Sequence, residues 1–248
     1  MSNQKFTSRA EKKISFLRVI LFCLFSFMAI ATDAQTKKVQ NIPKYDKQTV
    51  HFGFALGFTS PDFRLSPDPN FRTMDTVYNV ESQAQLGFLL GIVSNLRVGD
   101  YFDVRFVPML TFAQRNLLYT LNSGNLGAPA TVKPVESTFL DFPLMLKYKS
   151  ARVNNYRAYV LAGGKYSIDL VSQANVQKSD KEPVRLQPYD YGYEIGFGFD
   201  FYLMYFKFAL EIKMYNGINN LLVKDEFIYS RSLESLHSKI FYISFLFE

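Results

Sequence analysis

The sequence predicts an all-β fold: an eight-stranded antiparallel transmembrane β-barrel of the outer-membrane kind. Three observations carry the prediction. Apolar side chains alternate with small or charged ones over long stretches, as in "YDYGYEIGFGFDFYL" and "FKFALEIKM". Strands place successive side chains on opposite faces, so each stretch has one bulky apolar face and one small or polar face. These apolar faces carry seven and five residues, so the stretches are longer than the usual ~5–6-residue strand of a soluble sheet. Tyrosine also gathers where the alternation ends (Tyr101, Tyr119, Tyr148, Tyr189, Tyr202), as an interfacial girdle would. A lipid-facing sheet has to close on itself, because an open edge leaves backbone groups unpaired in hydrocarbon.

Composition agrees with that class. Aromatics make up 17% of the 248 residues, with 25 Phe, 16 Tyr and no Trp. This much aromatic surface would not stay solvated in a disordered chain. The mean hydropathy of −0.04 is too polar for a bundle of membrane helices. Half of the +6 formal charge lies in the first 34 residues, where Lys5, Arg9, Lys12, Lys13 and Arg18 outweigh Glu11 and Asp33. The remaining excess is too small to argue for nucleic acid.

Residues 1–34 read as an export signal. A basic region leads into an apolar run from Val19 to Ile30, and small Thr32 and Ala34 follow at the positions a signal peptidase reads. That run would span ~18 Å as a helix, short of the ~30 Å hydrocarbon core. Cys23, the single cysteine, lies inside it. A chain cut after Ala34 has no thiol, which excludes disulfides, thiolate catalysis and Cys-ligated metals. Residues 35–49 ("QTKKVQNIPKYDKQT") form a basic periplasmic arm. It is either a flexible leader or, through Lys37, Lys38, Lys44, Tyr45 and Lys47, a contact for an acidic partner.

The barrel domain occupies 50–248, with strands expected near 50–59, 84–94, 101–117, 136–148, 157–171, 189–202, 205–215 and 238–247. Phe52, Phe54, Leu56 and Phe58 open it on one face against Gly53, Ala55 and Gly57. Phe241, Ile243, Phe245 and Phe247 end it. Three connections are short (95–100, 149–156, 203–204) and four are long (60–83, 118–135, 172–188, 216–237). Short turns belong at the periplasmic rim and long loops outside, which places both termini in the periplasm.

Eight strands enclose room only for side chains. The alternation turns Asp103, Arg105, Arg115, Asp141, Lys147, Lys165, Asp169, Asp190, Glu194, Asp200, Lys207, Glu211 and Lys213 inward. Acids and bases nearly balance, which points to a lumen plugged by salt bridges. A selective pore would show a ring of one sign. Some of these charges could instead form a substrate site. Pro108 and Pro143 interrupt consecutive strands where a ladder donor is expected, which usually marks a bulge. They read either as a bend that tunes barrel shape or as a weakened seam open to a protein partner. Gly163 and Gly164 fall mid-strand and relieve crowding or admit a bend.

Catalytic options are few. His51 opens the first strand with no nucleophile near it in sequence. His237 follows Ser235 by two residues, the spacing that shares a strand face, and Glu234 could orient the ring only if the segment bends. The surrounding "SLESLHS" reads as loop. No cofactor, small-molecule substrate or metal is expected.

Six strings together carry a family resemblance: "NIPKYDKQTVHFGFALGF", "GIVSNLRVGDYFDVRFVP", "ESTFLDFPLMLKYKS", "GGKYSIDL", "YDYGYEIGFGFDFYL" and "FKFALEIKMYNGINNLL". Over 41–248 they resemble the PorT (SprT) family of Bacteroidetes; the long loops, 60–76 and 122–132 above all, depart from it. The resemblance implies an integral outer-membrane barrel needed by the type IX secretion system, which exports sorting-domain proteins including proteases and gliding adhesins. It implies other secretion-system proteins as partners and carries over no catalytic residue. Three readings stand side by side: a secretion accessory barrel, a generic small barrel of the OmpA/OmpX type serving adhesion or envelope integrity, and a lipid-modifying enzyme resting on Ser235 and His237. Phe63, Phe71 and Phe227, in the expected outer loops, either pack over the barrel mouth or meet a partner.

Overall fold

A computed structural model describes residues 39–68, 77–121, 130–171, 185–224 and 232–248. The expected export signal, Cys23, Lys37, Lys38, Phe71 and Phe227 lie outside the described residues. Among the described residues a 3-10 turn, Tyr45–Lys47, precedes ten strands: β1 (Val50–Pro67), β2 (Val77–Ala84), β3 (Gly87–Arg97), β4 (Phe102–Phe106), β5 (Met109–Leu121), β6 (Ala130–Lys149), β7 (Tyr156–Asp169), β8 (Tyr189–Tyr202), β9 (Lys207–Gly217) and β10 (Leu233–Phe247). They form one antiparallel sheet, which closes because β1 pairs with both β10 and β3.

Ten strands make eight spans. β2 and β3 form one span broken at 85–86, where one extra residue is accommodated. Ala84 faces Arg115 and Phe88 faces Phe112, so four steps on one side match three on the other. β4 and β5 form another span, broken at Val107 and Pro108. Here the expected bulge is absent. Phe106 faces Ser94 and Leu144, and Met109 faces Gly91 and Asp141, so the register runs through without a shift. Each proline removes one donor only, and its neighbour across the ladder keeps the reciprocal bond. Ile92 N–H donates to Pro108 O at 3.0 Å and Val107 N–H to Pro143 O at 3.4 Å. Pro143 is buried inside the barrel, while Pro108 is half-buried on the outer face.

Stepping from partner to partner gives the geometry of closure. Asp62, Lys239, Asn216, Tyr193, Gly164, Leu144, Phe106 and Ser94 lead round to Phe52, a stagger of ten residues from Asp62. With ~3.3 Å per residue and ~4.8 Å between strands, the spans tilt by about 40° on a backbone radius of about 8 Å. Such a barrel is filled by side chains.

On the outer face of β6, Leu140, Phe142, Leu144, Leu146 and Tyr148 make an unbroken apolar row. At that tilt it rises about 20 Å, close to the ~25 Å band of an outer-membrane barrel. The strands continue well past it. β1 follows Phe58 with outward Ser60, Asp62 and Arg64; β10 carries outward Ser235, His237 and Lys239; β6 adds Glu136 and Thr138. The expected boundaries miss this extension because its outer face is polar. Ser60, the "SLESLHS" segment and much of the long connections are therefore strand, still alternating, with Pro61, Phe63, Leu236 and Ser238 turned inward. Phe63, expected in a loop, is buried there with Leu117, Tyr119, Leu186, Leu221, Leu222, Leu233 and Leu236, an apolar plug at the loop mouth. Two of the five girdle tyrosines also belong inside: Tyr119 and Tyr202 are fully buried, while Tyr101, Tyr148 and Tyr189 face outward.

Candidate functional site

The lumen and its terminal mouth hold the densest chemistry of the chain. All thirteen charges that the alternation turns inward are buried. Burying a charge is costly unless it is paired and hydrogen-bonded, so their partners decide what the lumen is.

Nearest the terminal mouth, Arg105 is the hub. It pairs with Glu211 and, at 3.1 Å, with Glu248, while its Nε donates to Asn95 at 3.2 Å. Glu248 also receives Lys207 at 2.8 Å, and Glu211 accepts the Tyr159 hydroxyl at 2.8 Å. Beside this hub Lys147 meets Asp200 at 2.9 Å and its ammonium lies 3.6 Å from the Tyr159 ring centre. Lys149 pairs with Asp103, which also accepts from Asn95 at 3.1 Å. At mid-height Lys213 meets Glu194 at 2.8 Å. Lys165 meets Asp141 at 3.4 Å and donates to the Tyr242 hydroxyl at 2.6 Å. Asp141 is completed by the hydroxyls of Thr111 and Ser167.

Three of the thirteen make no ion pair among the described residues. Arg115 donates to Ser238 at 3.1 Å and Ser137 at 3.2 Å, with its guanidinium 3.9 Å from the Phe63 ring centre. Asp169 accepts the Val171 amide at 3.0 Å, and Asp190 lies buried near the loop mouth. The arrangement is a plug of interlocked pairs. Among the described residues no three His, Cys, Asp or Glu side chains gather in a way that could hold a metal ion.

Instead of trailing as a loose leader, residues 41–47 fold across the terminal mouth as a strap. The Tyr45 hydroxyl donates to Glu248 at 2.8 Å, and its ring stacks on His51 at 4.0 Å. Burial, then the charge and hydrogen bond of Glu248, push the Tyr45 phenol well above its ordinary range. Asp46 receives Arg157 at 2.9 Å, Arg152 at 3.2 Å and the Tyr202 hydroxyl at 3.2 Å, and its backbone carbonyl accepts Arg97. Burial would raise the Asp46 carboxyl, but Arg157 and Arg152 outweigh it and hold the group below the usual carboxylate range. Asn41 is tied in by Asn155, by the carbonyl of Tyr202 and by Arg152. Tyr45 is thus engaged within the chain, while Lys44 and Lys47 remain exposed on the strap.

Several of these residues were not among the sequence candidates. Lys149 and Glu248 extend the inward parity of Lys147 and Leu246 by one step, so the alternation could have found them. Arg97 and Arg157 likewise sit on the inward parity of β3 and β7, whereas Asp46 and Arg152 lie at turns, where no periodicity marks them.

The Ser235–His237 pair does share a face, the outer one of β10. Glu234 sits where the β1–β10 register shifts and is exposed. Among the described residues no hydrogen bond joins Ser235 or Glu234 to His237, so a nucleophile with an oriented base is not assembled.

The sequence profile of the outer membrane protein beta-barrel domain matches residues 34–223. The chain belongs to that family. Among solved structures, the family member is similar to the outer membrane protein OprG from Pseudomonas aeruginosa, at 15% identity over 80% of this chain and 91% of that one (TM-score 0.42). It is similar to Neisserial surface protein A at 11% identity over 80% and 98% (TM-score 0.43). It is also similar to Ail, the attachment invasion locus protein of Yersinia pestis, at 11% identity over 81% and 98% (TM-score 0.35). No curated protein sequence matches the chain. Membership of the outer membrane protein beta-barrel family makes the protein an integral outer-membrane β-barrel, embedded in the lipid bilayer.

Proposed function

We propose that this protein is a non-enzymatic small outer-membrane barrel of the OmpA/OmpX type, acting through its surfaces in adhesion or envelope integrity. The observation that carries the reading is the lumen. Ten of its thirteen charges pair with one another or with Glu248 and Lys149, the strap lies over one mouth and an apolar plug fills the other, which leaves the rims and loops to do the work. Short turns and both termini lie in the periplasm and the long strand extensions outside, the arrangement usual for such barrels. Two measurements test this. The purified protein in planar bilayers shows no steady ion conductance, and a host deletion changes attachment or detergent sensitivity. Steady conductance, or a deletion that leaves both phenotypes intact, overturns the reading.

A second reading has its own support. The six strings spread over 41–248 resemble the PorT family, which favours a part in type IX secretion through contacts with other secretion-system proteins. Lys44 and Lys47 on the strap and the seam at Pro108 and Pro143 are the candidate contacts. Deletion would then trap sorting-domain cargo in the periplasm, and complementation would restore its export. Normal export of that cargo rules this reading out.

A further inference from the structure

Just above the apolar belt, the outer face of the β1–β10 pair carries three basic side chains in adjacent positions. Arg64 stands directly opposite His237, and Lys239 is two residues further along β10, opposite Asp62. Directly opposed side chains on one face of an antiparallel pair lie ~4.5–5.5 Å apart at Cβ, and diagonal neighbours ~7–8 Å, so all three can reach one small anion. The belt begins immediately below with Phe241, Ile243 and Phe58, each about half exposed. Lys239 leans toward it, its ammonium 5.3 Å from the Phe241 ring centre. That height is where lipid headgroups meet acyl chains.

The row is not ion-paired. Among the described residues Arg64, His237 and Lys239 make no ion pair, although an acid, Asp62, shares their face. Asp62 is drawn toward β2: its carboxylate accepts the Ser82 hydroxyl at 2.5 Å and the Phe63 amide at 2.8 Å. His237 Nδ1 is shielded from solvent and has no hydrogen-bond partner. Cations left unpaired beside an occupied carboxylate, with a shielded imidazole nitrogen between them, are arranged for an oxyanion arriving from outside the chain.

We propose that Arg64, His237 and Lys239 form a binding site for the phosphate of a lipid headgroup at the loop-side edge of the membrane. The inference rests on the proposed reading only in placing the loop end outside, where phosphorylated glycolipid fills the leaflet. Guanidinium and ammonium hold the phosphate oxygens, the imidazole adds a third contact, and the acyl chains lie along the outer row of Phe241 and Ile243.

The full mature protein in non-ionic detergent is titrated with diphosphorylated lipid A and with the same lipid A stripped of its phosphates, and bound lipid is counted by native mass spectrometry. The wild type prefers the phosphorylated form by about tenfold or more, as charge-assisted contacts to one phosphate would give. The triple variant Arg64→Gln, His237→Gln, Lys239→Gln loses the preference. The pair Arg64→Lys, Lys239→Arg retains it, as does Lys224→Gln, an exposed lysine that is not part of the row. Heat-modifiable gel mobility shows that each variant is folded. Equal binding of the two lipids by the wild type, or an unchanged preference in the triple variant, overturns the site. Displacement of the lipid by inorganic phosphate at matched concentration makes it a free-anion site and overturns the headgroup assignment. Fractionation of host cells separates this failure from failure of the proposed function: a barrel that sorts to the outer membrane yet shows no phosphate preference sinks this inference alone.

Discussion

Replacing Arg105 with Met removes the hub of the lumen while keeping its bulk. The guanidinium is 1% exposed and touches two buried carboxylates, Glu211 and Glu248, as well as Asn95. Glu248 keeps Lys207 at 2.8 Å, but Glu211 is left with the Tyr159 hydroxyl and Lys213 at 4.0 Å. Breaking a buried ion pair from one side costs about 3–5 kcal/mol, because the abandoned charge stays desolvated. With a urea slope of ~2 kcal/mol/M, the unfolding midpoint falls by about 1.5–2.5 M. The chain has 16 Tyr and no Trp, so far-UV circular dichroism in lipid vesicles is the natural probe. Adding Glu211→Gln to Arg105→Met removes the orphaned charge and recovers at least half of the loss. A midpoint within ~0.3 M of wild type for Arg105→Met would refute the reasoning, since it would mean that Glu211 finds water or a proton at little cost.

Other outcomes follow from the same structure. The Asp46 carboxyl is lowered in the folded state, so its contribution is present above the ordinary Asp range and disappears as pH falls through the folded value. Hydrogen exchange across 41–48 should therefore rise below about pH 4, the ordinary Asp range, and Asp46→Asn should show fast exchange at neutral pH with no acid step. Gly163 and Gly164 separate by face. A Cβ on Gly163 would come within 2.1 Å of the Leu144 carbonyl oxygen, whereas one on Gly164 meets nothing nearer than 3.8 Å. Gly163→Val should abolish the heat-modifiable folded band, and Gly164→Ala should fold as wild type. At the proline pair, Val107 holds a long 3.4 Å bond, so its amide should exchange faster than that of Met145 in the same hairpin. Equal protection would remove the case for a weakened seam.

How much of this was legible beforehand depends on the signal each part leaves. Residues of β8 were bounded to the residue, because Tyr189 to Tyr202 is walled off by turns and its outer face is apolar throughout. β1 was expected to stop at 59 but continues to Pro67, because Ser60, Asp62 and Arg64 leave the membrane and stop looking like a lipid face. The inward charges could be read from parity alone. Their partners could not: Arg105 and Glu248 are 143 residues apart in sequence, and only closure of the barrel brings them within 3.1 Å.

The sequence by itself determined the class of fold and the side of the wall each residue faces, because period two is a local property of a strand. It also determined that the lumen would hold both signs of charge. Only the tertiary structure decided the ten-residue stagger, which acid meets which base, the strap held by Asp46 and Tyr45, and the placing of Arg64 opposite His237 above the belt. The pairings depend on the register between strands and on which distant segments the closed barrel sets side by side. A one-residue slip would leave the alternation of each strand intact yet rearrange every one of those contacts.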